Sequence, residues 1–352
     1  MKLIIDAMSG DNAPSEIVRG AVSAAKTLDS HIEYILVGDE LVIKKEIASE
    51  NSIDLIGSRI RIVHADEILT MEDDPTDVIK KKKNSSMSVA LRLLADGEGD
   101  ALICAGNTGA LYTGASLIVR TVKGIRRAAI GTLIPFDKPL LLLDSGANVN
   151  VTAEYMEQFA FMGTVYMKKL YQIETPRVGL VNNGAEEHKG TSVYVETHER
   201  LKTTEGICFV GNVEGKEIPF GKCDVLIADG FTGNIILKLI EGMGSFLMKR
   251  MKKMFFSSFV TKISALLLKK QLKQFKQDFD ASEHGGSPFL GISKPIIKAH
   301  GSSDARAILN ACKQAVRFTE NGVIGEIAQF AAAYQRNAKS ADTGSAPSTV
   351  SE

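Results

Sequence analysis

The sequence predicts an α/β protein: a three-layer, doubly wound, mostly parallel sheet. Three observations predict it. Short aliphatic runs recur along the 352 residues, each ending in Gly, Asn or Asp and each followed by an amphipathic helical pattern. The runs are continuously apolar instead of alternating, as strands buried on both faces are. Turn residues gather where the runs end, the rhythm of βα units that put helices on both sides of a sheet.

In chain order, KLIIDAM (2–8) is a strand that leads through Ser9–Pro14 into SEIVRGAVSAAKTL, where Ser15 stands as the helix cap. IEYILVG runs into DELVIKKEIAS, and RIRIVHA leads through an acidic loop to Pro75 and a further helix. DALICAG is followed by NTGALYTGASLIVR, and PLLLLDSGANVN by TAEYMEQFAFMGTVYMKKL. RVGLVNNG, GICFVGNVEG and CDVLIADG complete the set, the last opening into FTGNIILKLIEGMG. In such a sheet the loops after the strands are expected along one edge, where ligands bind. Residues 1–336 read as one α/β catalytic domain, and 337–352, without apolar periodicity, as a disordered tail.

With 44% hydrophobic and 24% charged residues, the chain has the balance of a soluble globular protein. The four cysteines, Cys104, Cys208, Cys223 and Cys312, show no CxxC or metal-ligand spacing and read as small buried hydrophobes in a reducing cytosol. MKLIIDAMSGD holds only a short apolar run and no small-residue cleavage site, so a cytoplasmic protein is expected. The formal net charge of +0 argues against general nucleic-acid affinity, yet the charge is segregated. Residues 244–277 carry nine Lys or Arg and no acid, which leaves the remainder acidic.

The loops after the strands share a chemistry of Gly, Asn, Ser and Thr. Such loops place backbone N–H groups at helix N-termini, where anions are stabilised. In CAGNTGAL, Asn107, Thr108 and Gly109 stand where a strand becomes a helix. DSGAN (144–148), NNGAEEHKG (182–190) and DGFTGN (229–234) repeat the pattern, which suggests one shared polar cleft. Lys189 is the natural counter-charge for phosphate, and His188 beside it either donates a hydrogen bond or sits on the surface. In KKKKNSSMSVALRLL, Ser85 or Ser86 caps a helix. Lys80–Lys83 ahead of it read either as a docking point for an anion or as a solvated charge run.

Familiar catalytic patterns fail. No GxGxxG follows a strand, GAEEHKGTS breaks the phosphate-loop spacing, GASLI lacks the last glycine of a nucleophile elbow, and there is no HExxH. No metal site and no cofactor are expected.

DAMSGDNAP, KKNSSM, AGNTGAL, LLDSGANV, GLVNNGAEEHKG, FVGNVEG, DVLIADGFTGNIILKLIEG and SPFLGISKPIIKAHGSSDARAI together carry a likeness that extends to about Phe330. On these motifs the chain resembles the PlsX family, the phosphate acyltransferases of bacterial phospholipid synthesis that take acyl groups from acyl carrier protein. Ser9, Ser145, Asn150 and Asn183 depart from the family's usual residues and bear on loop geometry and acyl-chain preference. The resemblance implies a fold similar to isocitrate and isopropylmalate dehydrogenases and to phosphate acetyltransferases. It also implies a homodimer and a peripheral association with membrane. The implied reaction is an acyl-carrier-protein thioester plus inorganic phosphate giving acyl phosphate plus free carrier.

Phosphate is an anionic nucleophile and a thiolate a good leaving group, so this chemistry needs positioning and oxyanion donors more than a triad. The expected assignment gives phosphate to the Asn107–Gly109 helix start and Lys189, and the oxyanion to Asn234 or Asn148. His300, in KAHGSSDAR, either assists the leaving thiol or is structural. Asp6, Asp144 and Asp229, with Gly233, flank the cleft; the carboxylates orient donors or hold loops, since phosphate would repel them.

The basic segment 244–277 reads as an interfacial helix or a protruding amphipathic helical hairpin, bent at Ser257–Ser258. Leu247, Met251, Met254, Phe255, Phe259, Ile263 and Leu266 form one apolar side with basic residues flanking it, and Lys249, Arg250, Lys252, Lys253 and Phe256 are expected to join the binding surface. Its partner is an anionic membrane surface, the acidic acyl carrier protein, or both, and a membrane-bound glycerol-phosphate acyltransferase would take the product. Two other functions remain open: a non-catalytic membrane scaffold, and a dehydrogenase of the related fold.

Overall fold

The computed structural model describes residues 1–259, 261–262, 266, 268, 270–271 and 285–343, with side chains through 336. Eleven strands form one sheet: β1 (Lys2–Asp6), β2 (Glu33–Gly38), β3 (Ile60–His64), β4 (Ala101–Cys104), β5 (Ala129–Ile134), β6 (Leu140–Leu143), β7 (Arg177–Asn182), β8 (Cys208–Glu214), β9 (Val225–Ile227), β10 (Ser287–Leu290) and β11 (Ile296–Lys298). Their order across the sheet is β3-β2-β1-β4-β11-β10-β5-β6-β9-β7-β8. The helices are α1 (Ser15–Thr27), α2 (Glu40–Ser49), α3 (Ser86–Ala95), α4 (Thr108–Gly114), α5 (Ala153–Tyr171), α6 (Ser192–Thr203), α7 (Gly230–Phe255), α8 (Ala305–Glu320) and α9 (Val323–Thr343).

All eight aliphatic runs are strands, and they are buried as continuous apolar runs require: β4 and β6 are buried at every position. Helices cover both faces. α5 is the most enclosed, with Met156, Phe159, Phe161, Met162 and Met167 all buried. Each such side chain contributes about 1.5–3 kcal/mol relative to exposure. On the other half, α1 and α8 come so close at Gly20 that an added Cβ would lie 2.5 Å from the Ile308 Cβ.

Three strands that the βα rhythm does not announce, β5, β10 and β11, occupy the middle. β11–β10, β10–β5 and β5–β6 are antiparallel, while the pairs on either side are parallel. The two outer parallel sets consequently run in opposite directions. This corrects the expectation of a single ligand edge: loops after β1, β4 and β11 leave one edge, and loops after β6, β9 and β7 leave the other. The reason is the odd number of reversals in the middle.

Two local expectations also change. Pro14, not Ser15, is the N-cap of α1, and no side chain caps it; Ser15 is the first helical residue. α9 continues through Thr343, past the start of the expected tail at 337, as the Ala-rich run around 331–341 favours. Residues 344–352 lie outside the described residues, as does most of the second half of the expected hairpin. No helix among the described residues is long and apolar enough to cross a membrane.

Candidate active site

A cleft of about 1120 Å³ opens over the middle of the sheet, under α7. One wall is polar, with Asp11, Thr108, Thr132, Ser145, Ser287, Lys298 and the loop His300–Asp304. The other is mixed: Leu133, Ile134 and Phe136 at the end of β5 are apolar, while the face of α7 sets Leu237, Ile240 and Met248 beside Lys238, Glu241, Ser245 and Lys249. The polar wall is a row across the antiparallel strands. Thr132 on β5 bridges the two strand sets: its hydroxyl lies 2.7 Å from Ser145 Oγ, after β6, and 2.8 Å from Ser287 Oγ, at the start of β10. Ser145 donates its one proton to the Ile130 carbonyl at 3.0 Å. The chain therefore runs Ser287 to Thr132 to Ser145, each hydroxyl donating to the next.

Ser287 pairs in register with Lys298 on β11, which is 9% exposed and lines the cleft. The Lys298 ammonium donates to the Ala105 carbonyl at 3.3 Å and to the Ala299 carbonyl. An ammonium carries three protons, so one remains for a ligand. Burial holds its pKa below the usual lysine range, with Lys238 across the cleft adding to the shift and Cys104 and Asp11 opposing it. No carboxylate is bonded to it among the described residues, and a buried cation in that state favours an incoming anion.

Asn234 lies in the first turns of α7 and faces the cleft near Gly146, and its amide has no hydrogen-bond partner among the described residues. His300 also lines the cleft. Its Nδ1 accepts the Ser302 N–H at 3.3 Å and lies 2.9 Å from Ser302 Oγ. Nδ1 is thus an acceptor, and the neutral ring carries its proton on Nε2. The loop is held by the first strand's loop, where Asn12 donates to the Ser302 and Ser303 carbonyls and Asp11 N–H to the Gly301 carbonyl.

Several expected site residues hold loops together instead of facing the cleft. Asn148 is corrected as an oxyanion donor: its Nδ2 donates to the Ala128 carbonyl and to Asp144, both at 2.8 Å, and its Oδ1 accepts from Tyr112. Both amide protons are spent. Asp144 is fully buried and receives the N–H groups of Ile130, Gly146, Ala147 and Asn148. Burial raises its pKa, against those bonds. Gly233 is required where α7 presses on this loop, since an added Cβ would fall 1.9 Å from the Asp144 carbonyl oxygen.

Asp229 caps α7 through the Phe231 and Thr232 N–H groups and accepts from the Tyr194 hydroxyl. Burial raises its pKa, but those bonds outweigh it and hold the carboxyl below the usual range. Asp6 is buried at the end of β1, accepting from the Met8 N–H and the Cys104 thiol.

Lys189 and His188 lie in the loop after β7, on the opposite strand set from Lys298, and outside this cleft. Ser85 caps α3, Ser86 is buried beside it, and Lys83 is exposed, all outside the cleft. Of the lysine run, Lys81 pairs with Asp77 at 3.1 Å and Lys82 with Asp73 at 2.6 Å. Asn107 caps α4, and its Nδ2 donates to the Met71 carbonyl at 3.1 Å. Thr108 reaches the cleft; Gly109 packs against Pro75. Among the described residues one group could gather around a metal ion, Glu187, His198 and Glu199, and Lys202 already binds Glu187 at 2.9 Å.

Sequence reasoning missed Lys298, Thr132 and Ser287. One signal was available: in IIKAHG a lysine ends an apolar strand, and a lysine there is either exposed at an edge or buried with a purpose.

Among solved structures, the fold is similar to a phosphotransacetylase of Streptococcus pyogenes, with TM-score 0.63 and 15% identity over 92% of this chain and 94% of that one. A Staphylococcus aureus phosphotransacetylase gives 0.58 and 14% over 91% and 94%. Residues 1–326 match the family model described as fatty acid synthesis protein. A phosphate acyltransferase of Thermoanaerobacter pseudethanolicus is 45% identical over 328 residues, 93% of this chain and 96% of its own length. One of Clostridioides difficile is 41% identical over 341 residues, 96% and 98% of the two chains. With a match of this extent the chain belongs to the PlsX family of phosphate acyltransferases, acyl-transferring enzymes of fatty acid and phospholipid synthesis.

Proposed function

We propose that the enzyme transfers an acyl group from an acyl-carrier-protein thioester directly to inorganic phosphate. The observation that carries this is the pairing, in one cleft, of a buried ammonium, Lys298, with an exposed amide, Asn234, that has no hydrogen-bond partner among the described residues. Lys298 holds phosphate. A phosphate oxygen attacks the thioester carbon, the carbonyl oxygen gathers negative charge, and the Asn234 amide donates to it. The C–S bond then breaks and the carrier leaves as a thiolate that takes its proton from solvent, while the neutral His300 ring lining the cleft offers its Nε2–H as a hydrogen-bond donor. No acyl-enzyme is formed, since the nucleophile is the substrate. The nearest thiol, Cys104, is buried beneath the site, and burial raises its pKa well above the ordinary value.

The product is an acyl phosphate, a lipid tail on an anionic head, and we assign its release to the membrane face of the cytoplasm. α7 supports this. Its last turns carry Phe246 53%, Leu247 48%, Met254 57% and Phe256 60% exposed, and Phe259 follows at 78%. Lys249, Arg250, Lys252 and Lys253 lie exposed between them, while Met251 and Phe255 are half-buried. Such a surface suits anionic lipid, each basic residue adding about 1 kcal/mol near it, and equally an acidic carrier protein. The helix ends at Phe255, and Ser258 Oγ accepts the Thr261 N–H at 3.2 Å, which supports a bend at the two serines in this proposal. The working form is a homodimer in this proposal, and a membrane-bound glycerol-phosphate acyltransferase is the consumer of the product.

Pure protein, phosphate and a palmitoyl-carrier thioester are expected to yield hydroxylamine-trappable product in step with free carrier thiol. Thiol release without trappable product would overturn the reading.

A further inference from the structure

His198, on α6, is a buried side chain that the transfer reaction does not use. It is 3% exposed and stands edge-on to Phe209 of β8, with ring centroids 5.0 Å apart. Its Nδ1 lies 3.0 Å from Asn212 Oδ1. The Asn212 amide can face only one way, because its Nδ2 donates to the Glu186 carbonyl at 2.7 Å. An amide oxygen only accepts, so Nδ1 carries a proton and the neutral ring keeps its lone pair on Nε2.

That lone pair faces acid. Nε2 is 3.9 Å from Glu187 Oε1, too far for a hydrogen bond, and no hydrogen bond reaches it among the described residues. One ligand atom each from His198, Glu187 and Glu199 lie within 4.8 Å of one another. Electron pairs from all three converge on one point, and a cation placed there is attracted by each. Lys202, one turn along α6, supplies part of that charge, donating to both oxygens of Glu187 at 2.9 and 3.0 Å. Its side chain is 42% exposed, and an exposed ion pair of this kind is weak enough to give way to a divalent ion.

We propose that His198, Glu187 and Glu199 form a binding site for a divalent transition-metal ion of the zinc kind, which displaces Lys202 as it enters. A histidine that donates one ring N–H to a fixed acceptor and turns the other nitrogen on carboxylates has the arrangement of a metal ligand with its supporting partner. The imidazole selects zinc, cobalt or nickel over magnesium and calcium, which prefer oxygen alone. Tetrahedral zinc holds its ligand atoms about 3.4 Å apart, given bonds near 2.1 Å, so the two exposed glutamates need to close by about 1 Å. Glu187 belongs to the loop after β7, and the ion therefore fastens that loop to α6, outside the cleft.

The test is calorimetric titration of the full chain, stripped with a chelator, with zinc chloride. One site of micromolar affinity is expected, and a large excess of magnesium should not compete with it. Glu187→Gln, at an exposed position, should leave the melting temperature unchanged and weaken zinc binding about tenfold or more, since loss of even a partner behind a ligand costs that much. Lys202→Ala removes the competing ammonium and should tighten binding severalfold. His198→Gln should abolish it. No zinc binding in the parent overturns the proposal, as does equal competition by magnesium. Binding that Glu187→Gln leaves unchanged, or that Lys202→Ala fails to tighten, marks an adventitious ion only and overturns it as well.

Discussion

Asn148, in the loop after β6, and Asn234, in the first turns of α7, come from two neighbouring Gly-rich stretches, and their surroundings part them completely. Asn148 is 7% exposed and spends its amide on Ala128, Asp144 and Tyr112. Asn234 is exposed, faces the cleft, and has no partner among the described residues. The first amide is scaffold and the second is free for chemistry, although both follow a strand and both lie in glycine-rich stretches. A side chain that has already made its hydrogen bonds cannot switch to a transient oxyanion without breaking them. The two lysines divide the same way: Lys298 is buried in the polar wall, while Lys189 lies outside the cleft.

The largest effect expected is at Lys298. Lys298→Met should lower kcat/KM for phosphate by about 10²- to 10³-fold with the fold retained. Saturation kinetics check it, and a loss under tenfold breaks the division between the lysines. pH sharpens the point. Burial disfavours the ammonium, so its pKa lies below the ordinary 10.5, and the phosphate KM should rise as pH rises through that lowered value. Lys298→Met should lack this rise. The same sign governs stability: between the folded and unfolded pKa values the unfolded chain binds more protons, so this group's contribution to stability increases with pH there.

Next come the two asparagines. Asn234→Ala should lower kcat by about 10²-fold with the melting temperature unchanged. Asn148→Ala leaves Asp144, Ala128 and Tyr112 short of partners and should cost about 3 kcal/mol of stability, seen as a melting temperature several degrees lower. Equal stability in the two variants would dissolve the contrast. The smallest effect is expected at Lys189→Ala, whose phosphate KM should stay within about twofold of the parent. A large rise there would return the phosphate to the loop after β7.

Seven of the eight strands legible from their apolar runs lead on to an α-helix, β8 being the exception, and of the other three only β11 does. β5 carries Gly131, β10 carries Pro288, and β11 is three residues long. β5 and β10 each turn back into a neighbouring strand, so no helical period follows to mark them. These short central strands supply Thr132, Ser287 and Lys298, which is why the polar wall was not legible. Loop chemistry was legible in kind: the Asp and Asn residues do organise the loops after β1, β6 and β9. Whether a given one reaches the cleft was not, because that depends on which neighbours it meets.

The amino-acid order alone determined the βα rhythm, the family, a serine cap at 85 or 86, a helix start at Asn107–Gly109, and the basic amphipathic end of α7. These follow from contacts within a few residues or from side-chain period. Only the tertiary structure decided which residues face the cleft, since strand direction across a sheet is set by pairing between segments far apart in the chain. Ser287 and Lys298 pair with each other in register, and Thr132 reaches Ser287 from 155 positions away. No local pattern records such a meeting.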